Sequence, residues 1–411
     1  MKIAFLLRLF PTTSETFILS QISEVLLRGH QVEIISIYSN DKIKHKIYNK
    51  YRLKDIQIPP TAVPFHPFSR ILKALFLFLL HPHLWFKLIP TLNFLKYKRQ
   101  ARSLYLFYLC LVLFNKAKKY DVIHCHFGLM GLIGCDLKDL GLIDGKIVTS
   151  FHGMDVSTYP SLHGPNIYRR LFQEGDMFTA NSSFTVSKLK KLGCPAERIR
   201  KLPVGVDLDK FTYVKHNRKI QDPIIILSVG RLVDVKGFQY GIEAIAQISN
   251  LSHNIHYIII GDGPLRKQLQ QLADQLGIVK NIRFMGEKSQ EFVRDAYQNA
   301  HIFLLPSITK SDGSAEAQGL VLQEAQASGL PVISTSVGGI SDGLVDGASG
   351  FLVPEKNSTA IAEKLCNLIE DPQMCDAMGI KGRQFVEENY SLDTLTDRLE
   401  RIYKDVLSCQ D

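Results

Sequence analysis

Two glutamates eight positions apart, Glu316 and Glu324, frame the part of this sequence best suited to hold a charged ligand. Gly319 lies between them, and lacking a side chain it lets a ligand come close to the backbone. Gly319, Leu320 and Val321 open a helical stretch, so their free N–H groups would form an anion site. Carboxylates only accept hydrogen bonds, which suits them to sugar or ribose hydroxyls. The combination fits a diphosphate with a hydroxyl-rich group on either side. On residue type alone, the two glutamates read equally well as solvated groups on a surface helix. A second charge pair lies upstream, in Gly230-Arg231-Leu232-Val233-Asp234-Val235-Lys236-Gly237. Arg231 supplies a forked, permanent charge and Lys236 a mobile point charge. Together they match a diphosphate and the charge that builds on it as a bond to it breaks. His152, followed by Gly153, ends an apolar run. An imidazole there can donate to a hydroxyl or shuttle a proton, or serve only as a turn residue. His124-Cys125-His126 suggests metal, but strand neighbours alternate faces and no further ligands cluster with them, so no metal site is expected.

These side chains need elements to position them, and each falls where an apolar run gives way to a loop. Ile302–Leu305 reads as a buried strand, Ser307–Gly319 as a polar loop, and Leu320–Ala327 as a helix stopped by Gly329 with Pro331 behind it. Val332, Ile333 and Thr335 belong to the next strand. The loop of this strand–loop–helix–strand unit sits where α/β sheets bind ligands. Ile224–Val229 is a pure apolar strand, parallel and buried by pattern, that runs into Gly230. His256–Ile260 leads into Gly261-Asp262-Gly263-Pro264, a turn without the Lys-Ser/Thr of a P-loop. In the first half, Ile3–Leu7 is a strand, Phe17–Arg28 a helix with Ser14 as its N-cap, and Gln31–Ile37 the second strand. This opening has no GxGxxG, so it gives little support to dinucleotide binding. Ser182 or Ser183 caps a further helix, and Leu392–Leu407 has the apolar spacing of a terminal one.

The totals bound the rest. A chain of 411 residues is too long for one ordinary core and long enough for two α/β domains. Mean hydropathy is near zero, which indicates a globular chain rather than a disordered one. A net charge of +9 favours anionic partners: nucleotide, nucleic acid or anionic membrane. No nucleic-acid recognition motif is present, so that partner is not expected. The charge is concentrated. Residues 56–120 contain no Asp or Glu and ten Lys or Arg, interleaved with apolar blocks. The blocks are too short to span a bilayer, and the segment reads as membrane-interface helices or as core helices with basic outer faces. Seven scattered cysteines without paired metal spacing suggest reduced thiols in a cytoplasmic chain. The first residues read as a strand rather than a signal peptide.

The spacing of Glu316, seven residues and Glu324, followed by a small-residue helix and Gly329-Leu330-Pro331-Val332-Ile333, resembles the donor-site motif of family 4 retaining glycosyltransferases. Gly230-Arg231 with Lys236-Gly237 is similar to that family's diphosphate clamp, and Phe151-His152-Gly153 to its active-site histidine. Phe10-Pro11-x-x-Ser14-Glu15-Thr16-Phe17 resembles the exopolysaccharide, colanic-acid-type subset, in place of the Gly pair many of these enzymes carry in the first loop. Pro203-Val204-Gly205-Val206-Asp207 departs from the usual Pro-Asn-Gly-Val-Asp, so any role of that Asn side chain is lost. The resemblance implies the GT-B fold: two Rossmann-like parallel-sheet domains with the active site in the cleft between them. It implies an acceptor domain 1–211, a linker 212–222, a donor domain 223–390 and a tail 391–411 crossing back to the first domain. It implies retaining transfer of a hexose from a UDP- or GDP-sugar to a glycan or polyprenyl-linked hydroxyl, without cofactor or metal, in bacterial polysaccharide synthesis. Glu316 and His152 would hold the transferred sugar. Arg231, Lys236, Gly319 and Leu320 would hold the diphosphate, and Glu324 the ribose. Gly261 and Gly263 would line the nucleotide pocket, and Ser14, Glu15, His126 and Asp155 would face the acceptor or cleft. With the basic segment, this places the chain on the inner face of the plasma membrane. A sugar-nucleotide epimerase and a non-catalytic membrane-bound scaffold are the alternative readings.

Overall fold

The structure, a computed structural model, describes residues 1–12, 15–40, 46–58, 63–114, 118–215, 223–249, 254–408. It divides into two compact units. The first comprises Met1–Ala180, Val186–Leu202 and Thr396–Asp411, and the second Asn181–Thr185 and Pro203–Leu395.

The first unit is built on six strands: β1 (Lys2–Phe10), β2 (Gln31–Ser39), β3 (Lys118–His126), β4 (Ile143–Phe151), β5 (Met177–Ala180) and β6 (Ile199–Lys201). They form one sheet in the order β2-β1-β3-β4-β5-β6, every pair parallel. A parallel sheet carries helices on both faces, so its strands must be apolar throughout. Ile3, Ala4, Phe5 and Leu6 in β1 are accordingly all buried. The basic segment after β2 contributes the helices Pro67–Leu80, Trp85–Thr91, Phe94–Arg102 and Tyr105–Leu113. Tyr105–Leu113 is buried in the core, whereas Pro67–Leu80 buries only Ala74. Tyr105–Leu113 is thus a core helix, and Pro67–Leu80 is not.

The last helix, Leu392–Ser408, buries Leu399, Tyr403 and Val406. From residue 396 onward it belongs to the first unit. Asp397 pairs with Arg28, and His30 Nε2 lies 2.8 Å from Glu400.

The second unit carries β7 (Ile224–Val229), β8 (Ile255–Ile260), β9 (Ile282–Gly286), β10 (Ile302–Leu305), β11 (Val332–Thr335) and β12 (Gly350–Val353). Their order is β12-β11-β10-β7-β8-β9, again all parallel. The order reverses between β7 and β10, which pair at Ile226 with Ile302. In such sheets the loops leaving the carboxyl ends on either side of the reversal splay apart and leave a crevice for a ligand.

The expected boundary after residue 211 falls earlier in this grouping, at Pro203. Hydrogen bonds explain the difference. Val204 N donates to Gln318 Oε1 at 2.7 Å, and Val206 N to Tyr390 O at 2.8 Å. Of the expected linker, 216–222 lie outside the described residues, while Val214 N bonds Ser328 O within the second unit.

Candidate active site

The loops leaving β7 and β10 meet backbone to backbone. Gly237 has φ 59, and a Cβ there would lie 2.1 Å from Pro306 O. Ile308 N donates to Val235 O at 2.9 Å. Only glycine allows this approach, and it brings Lys236 to Glu316, Nζ to Oε2 at 2.6 Å. Both side chains are largely buried, so this ion pair is shielded from solvent more than a surface pair would be. Arg231, at the start of the same loop, is exposed.

Glu316 is fixed from a third side. After β11, Gly339 N donates to Glu316 O at 2.8 Å. A Cβ on Gly338 would sit 2.1 Å from Glu316 O, and one on Gly339 1.9 Å from Ala317 O. These two glycines thus approach the Glu316 loop itself. Gly319 takes a left-handed conformation, φ 78 and ψ 55, and caps the helix Leu320–Ala327. Leu322 N turns back to Gly319 O at 2.8 Å, leaving the amides of Gly319, Leu320 and Val321 in the first turn, ahead of the helical ladder. Glu324 lies one turn further on. Its carboxylate accepts from Tyr297 Oη at 3.1 Å, and burial pushes its carboxyl up to about 7 while that hydrogen bond works the other way. Tyr297, on the helix Gln290–Asn299, also donates to Val321 O at 3.2 Å.

Gly261 and Gly263 are packed against backbone. A Cβ on Gly261 would lie 1.9 Å from Gly230 O, and one on Gly263 2.5 Å from Leu232 O. They let the turn after β8 lie against the turn after β7, where Leu232 N donates to Asp262 O at 2.9 Å. Gln318 grips the segment after β6: besides accepting from Val204 N, its Nε2 donates to Val204 O at 2.9 Å.

In the first unit, three imidazoles form a row. His124 and His126 point to one face of β3, with ring centroids 4.6 Å apart, and His152 at the end of β4 continues the row at 5.2 Å from His126. His126 Nδ1 and His152 Nε2 lie 3.0 Å apart. His124 bonds Tyr403 Oη at 2.6 Å and Ser150 Oγ at 2.7 Å. Burial drives all three toward the neutral form: His124 and His152 to about 3, and His126 well below its ordinary value. A neutral imidazole keeps one donor and one acceptor nitrogen, so His152 can orient a hydroxyl without adding charge. Phe17 and Phe127 flank its ring, each 4.9 Å away. Among the described residues no group of three or more His, Cys, Asp or Glu side chains is arranged to hold a metal ion.

Asp155 is buried and serves the backbone. Its Oδ1 accepts from His152 N at 3.0 Å and Gly153 N at 2.9 Å, and its Oδ2 from Gly128 N at 3.3 Å. It thereby sets the turn that presents His152. Burial raises its carboxyl to about 6, against the pull of those amides. Glu15 precedes the helix Thr16–Leu27, with its N–H on Thr12 Oγ1 at 3.0 Å. Ser14, expected to cap that helix, lies outside the described residues. Ser182 accepts from Thr185 N at 3.2 Å, as an N-cap does. Tyr297, Gln318 and Tyr403 had no signal in the sequence. Each acts through a contact far along the chain, which neither spacing nor periodicity encodes.

Residues 14–210 match Glycosyltransferase Family 4, and residues 209–385 match glycosyl transferases group 1. The chain is 33% identical to a candidate colanic acid biosynthesis glycosyltransferase, WcaL, of Salmonella typhimurium, over 99% of this chain and 100% of that one. It is 31% identical to the amylovoran biosynthesis glycosyltransferase AmsK of Erwinia amylovora, over 95% of this chain and 96% of that one. A GDP-mannose-dependent phosphatidylinositol monomannoside mannosyltransferase of Mycolicibacterium smegmatis is 28% identical, over 62% of this chain and 69% of that one. Among solved structures, Anabaena Alr3699/HepE in complex with UDP superposes with a TM-score of 0.74 at 17% identity, covering 98% of this chain and 100% of that one. Sucrose-phosphate synthase of Thermosynechococcus elongatus superposes with a TM-score of 0.72 at 18% identity, over 100% of both chains. The two six-stranded parallel sheets are those of the GT-B fold.

Proposed function

Because this chain belongs to the family 4 glycosyltransferases of the GT-B fold, we propose that its second unit binds a nucleotide-diphosphate hexose and that the sugar passes to a hydroxyl of a glycan or lipid-linked acceptor. The observation that carries this reading is the meeting of two loops at the sheet's reversal point, which sets Lys236 on Glu316 beside the Gly319 helix end. In the transfer, the acceptor oxygen bonds the anomeric carbon and the bond from that carbon to the diphosphate oxygen breaks. The electron pair leaves with the diphosphate, which also takes up the acceptor proton. Arg231, Lys236 and the Gly319 and Leu320 amides meet the growing negative charge, so this assignment needs no metal. Glu324 accepts from the ribose hydroxyls. Glu316 and His152 orient the transferred sugar, and retention of configuration follows from the family resemblance.

The setting is exopolysaccharide assembly, in line with WcaL and AmsK. The donor base is open: HepE binds UDP, and the mannosyltransferase relative depends on GDP-mannose. The first unit supports work at an anionic membrane surface, at the inner face of the plasma membrane. Phe68, Leu72, Phe76, Leu79, Phe86 and Leu95 are each more than half exposed, in a segment with no acidic residue. Apolar side chains ringed by basic ones suit the interface of an anionic bilayer. No single helix among the described residues is long and apolar enough to cross a membrane; Pro67–Leu80 with Pro82–Thr91 would be, but the pair is bent by 96°.

The test is thermal shift with UDP, GDP and their hexose conjugates, with and without EDTA, followed by transfer assays on Glu316→Ala. One nucleotide series should stabilise the protein regardless of EDTA, and Glu316→Ala should fold but not transfer. Full activity in that variant would refute the assignment. Vesicle binding that is absent even at low salt would remove the membrane part alone.

A further inference from the structure

The first unit holds two cavities that share one wall. The first has a volume of about 270 Å³ and is lined by Arg8, Arg70, Arg99, Ser103 and Tyr105 with no carboxylate. The second has a volume of about 520 Å³ and is lined by Ile71, Leu75, Phe78, Phe94 and Phe107, with Arg102 as its one charged residue. The wall is formed by two short stretches. Arg70 faces the basic cavity and Ile71 the apolar one, and Ser103 faces the basic cavity between Arg102 and Leu104 of the apolar one.

The basic cavity is built rather than incidental. Arg70 is anchored by backbone carbonyls, donating to Pro64 O at 2.9 Å and Ser103 O at 3.0 Å. Its guanidinium also lies over the Tyr105 ring, 5.1 Å from the centroid. Arg99 donates to Tyr159 Oη at 2.8 Å. Carbonyls, hydroxyls and, for Arg99, the His163 ring at 2.6 Å fix these cations without a carboxylate. Arg8, Arg70 and Arg99 thus line one cavity together. Glu15, whose carboxyl burial raises and the Arg8 charge lowers, does not line the cavity. Lys98 (φ 44, ψ −113), which kinks the helix Phe94–Arg102, and Leu104 (φ 58) hold positive-φ backbone on either side of Arg99–Ser103, as found where a segment is over-determined by its surroundings.

A phosphate cavity beside an apolar groove of small-molecule size matches an amphiphile with a charged head and a long chain. We propose that these cavities together bind a long-chain lipid phosphate or diphosphate, the chain lying along Ile71, Leu75 and Phe78 and the phosphate on Arg8, Arg70 and Arg99. This rests on the transferase reading and deepens it, since such a lipid would carry the acceptor. The same chemistry is offered by phospholipid headgroups of a bilayer, and the test separates the two sources.

The chain contains its own reporter. Its single tryptophan, Trp85, stacks on Phe78 with ring centroids 5.0 Å apart, and Phe78 lines the groove. Farnesyl diphosphate titrated without any bilayer should shift Trp85 emission to the blue and saturate. Farnesol should bind about tenfold more weakly, as loss of charge-assisted hydrogen bonds implies. Arg8→Gln and Arg99→Gln should each weaken farnesyl diphosphate about tenfold and leave farnesol unchanged. Equal binding of farnesol and farnesyl diphosphate would overturn the proposal. So would a shift seen only with phosphatidylglycerol vesicles and unaffected by both variants, which would mean that the groove meets bilayer alone. Thermal shift with nucleotide sugars on the same samples keeps the two readings apart. Donor binding without farnesyl diphosphate binding sinks this inference only, and absent donor binding sinks the transferase reading.

Discussion

Replacing Glu324 by glutamine should make the protein more stable and worse at holding its donor. Burial raises the Glu324 carboxyl from 4.5 to about 7, against the Tyr297 hydrogen bond. A carboxyl raised in the folded state costs stability once it ionises. Below the unfolded value both states are protonated and the cost is nil. It grows as pH rises through that interval and is complete above the folded value. At about 1.36 kcal/mol per pH unit, the interval amounts to roughly 3 kcal/mol. Glu324→Gln keeps an oxygen for Tyr297 and removes the charge. Urea unfolding should therefore show the variant roughly 3 kcal/mol more stable than wild type at pH 8 and no more stable at pH 4. Donor binding should respond in the opposite sense. Ribose hydroxyls donating to the carboxylate favour its charged form, so binding expels a proton. The Kd of a nucleotide sugar should tighten about tenfold between pH 6 and 8 in wild type and stay flat in the variant. A nucleotide sugar is the right ligand, because its diphosphate diester does not titrate in this range. A variant no more stable at pH 8, or wild-type affinity independent of pH, would refute the reasoning.

Three further outcomes follow from the same geometry. Lys236→Ala and Arg231→Ala should each lower kcat by about 100-fold or more, since both serve a charge that develops in the transition state. Arg231→Ala should leave the melting temperature unchanged, because the side chain is exposed. Gly339→Ala would place a Cβ 1.9 Å from Ala317 O. It should shift the Glu316 loop and cut transfer by roughly 100-fold, measured at saturating donor. Finally, His124 and His152, held at about 3, must stay neutral in the fold, so a cost to folding appears as pH falls below the unfolded value of 6.5 and grows down to about 3. At pH 5 each costs about 2 kcal/mol, and protonation of the Asp155 carboxyl, raised to about 6, offsets this only in part. Trp85 emission should report unfolding of the first unit near pH 4.5 to 5, about 2 pH units below the ordinary histidine value. His126→Gln should move the midpoint lower, and native emission retained at pH 3.5, about 3 units below that value, would count against the account.

Much of this was legible in the residues. Strands buried on both faces announce themselves as apolar runs, so Ile224–Val229 and Ile302–Leu305 appear in the structure with the expected bounds. The helix Leu320–Ala327 was legible from Gly319 before it and Gly329 after it. The Lys236–Glu316 contact was not, because eighty positions separate the two and only strand order brings β7 beside β10. The histidine row shows the same limit. The alternation of faces that argues against a metal site at 124–126 also puts His124 and His126 on one side, but the third ring comes from β4. Gly338 comes up against the carbonyl of Glu316, a neighbour that its residue type does not identify. A glycine signals that something comes close, without naming what.

The last helix has a consequence for synthesis. The sheet of the first unit is complete by residue 201, yet Leu399, Tyr403 and Val406, which bury themselves against that unit, emerge from the ribosome about two hundred residues later. At about 5–20 residues per second, the interval is on the order of 10–40 s. Throughout it His124 lacks the Tyr403 hydroxyl, and Arg28 and His30 lack Asp397 and Glu400. The first half of this protein is thus born with an open flank in addition to its exposed apolar helices, the kind of transiently exposed surface that makes chaperones necessary. A nascent chain stalled before residue 396 should therefore stay protease-sensitive in its first two hundred residues, however well its own strands pair.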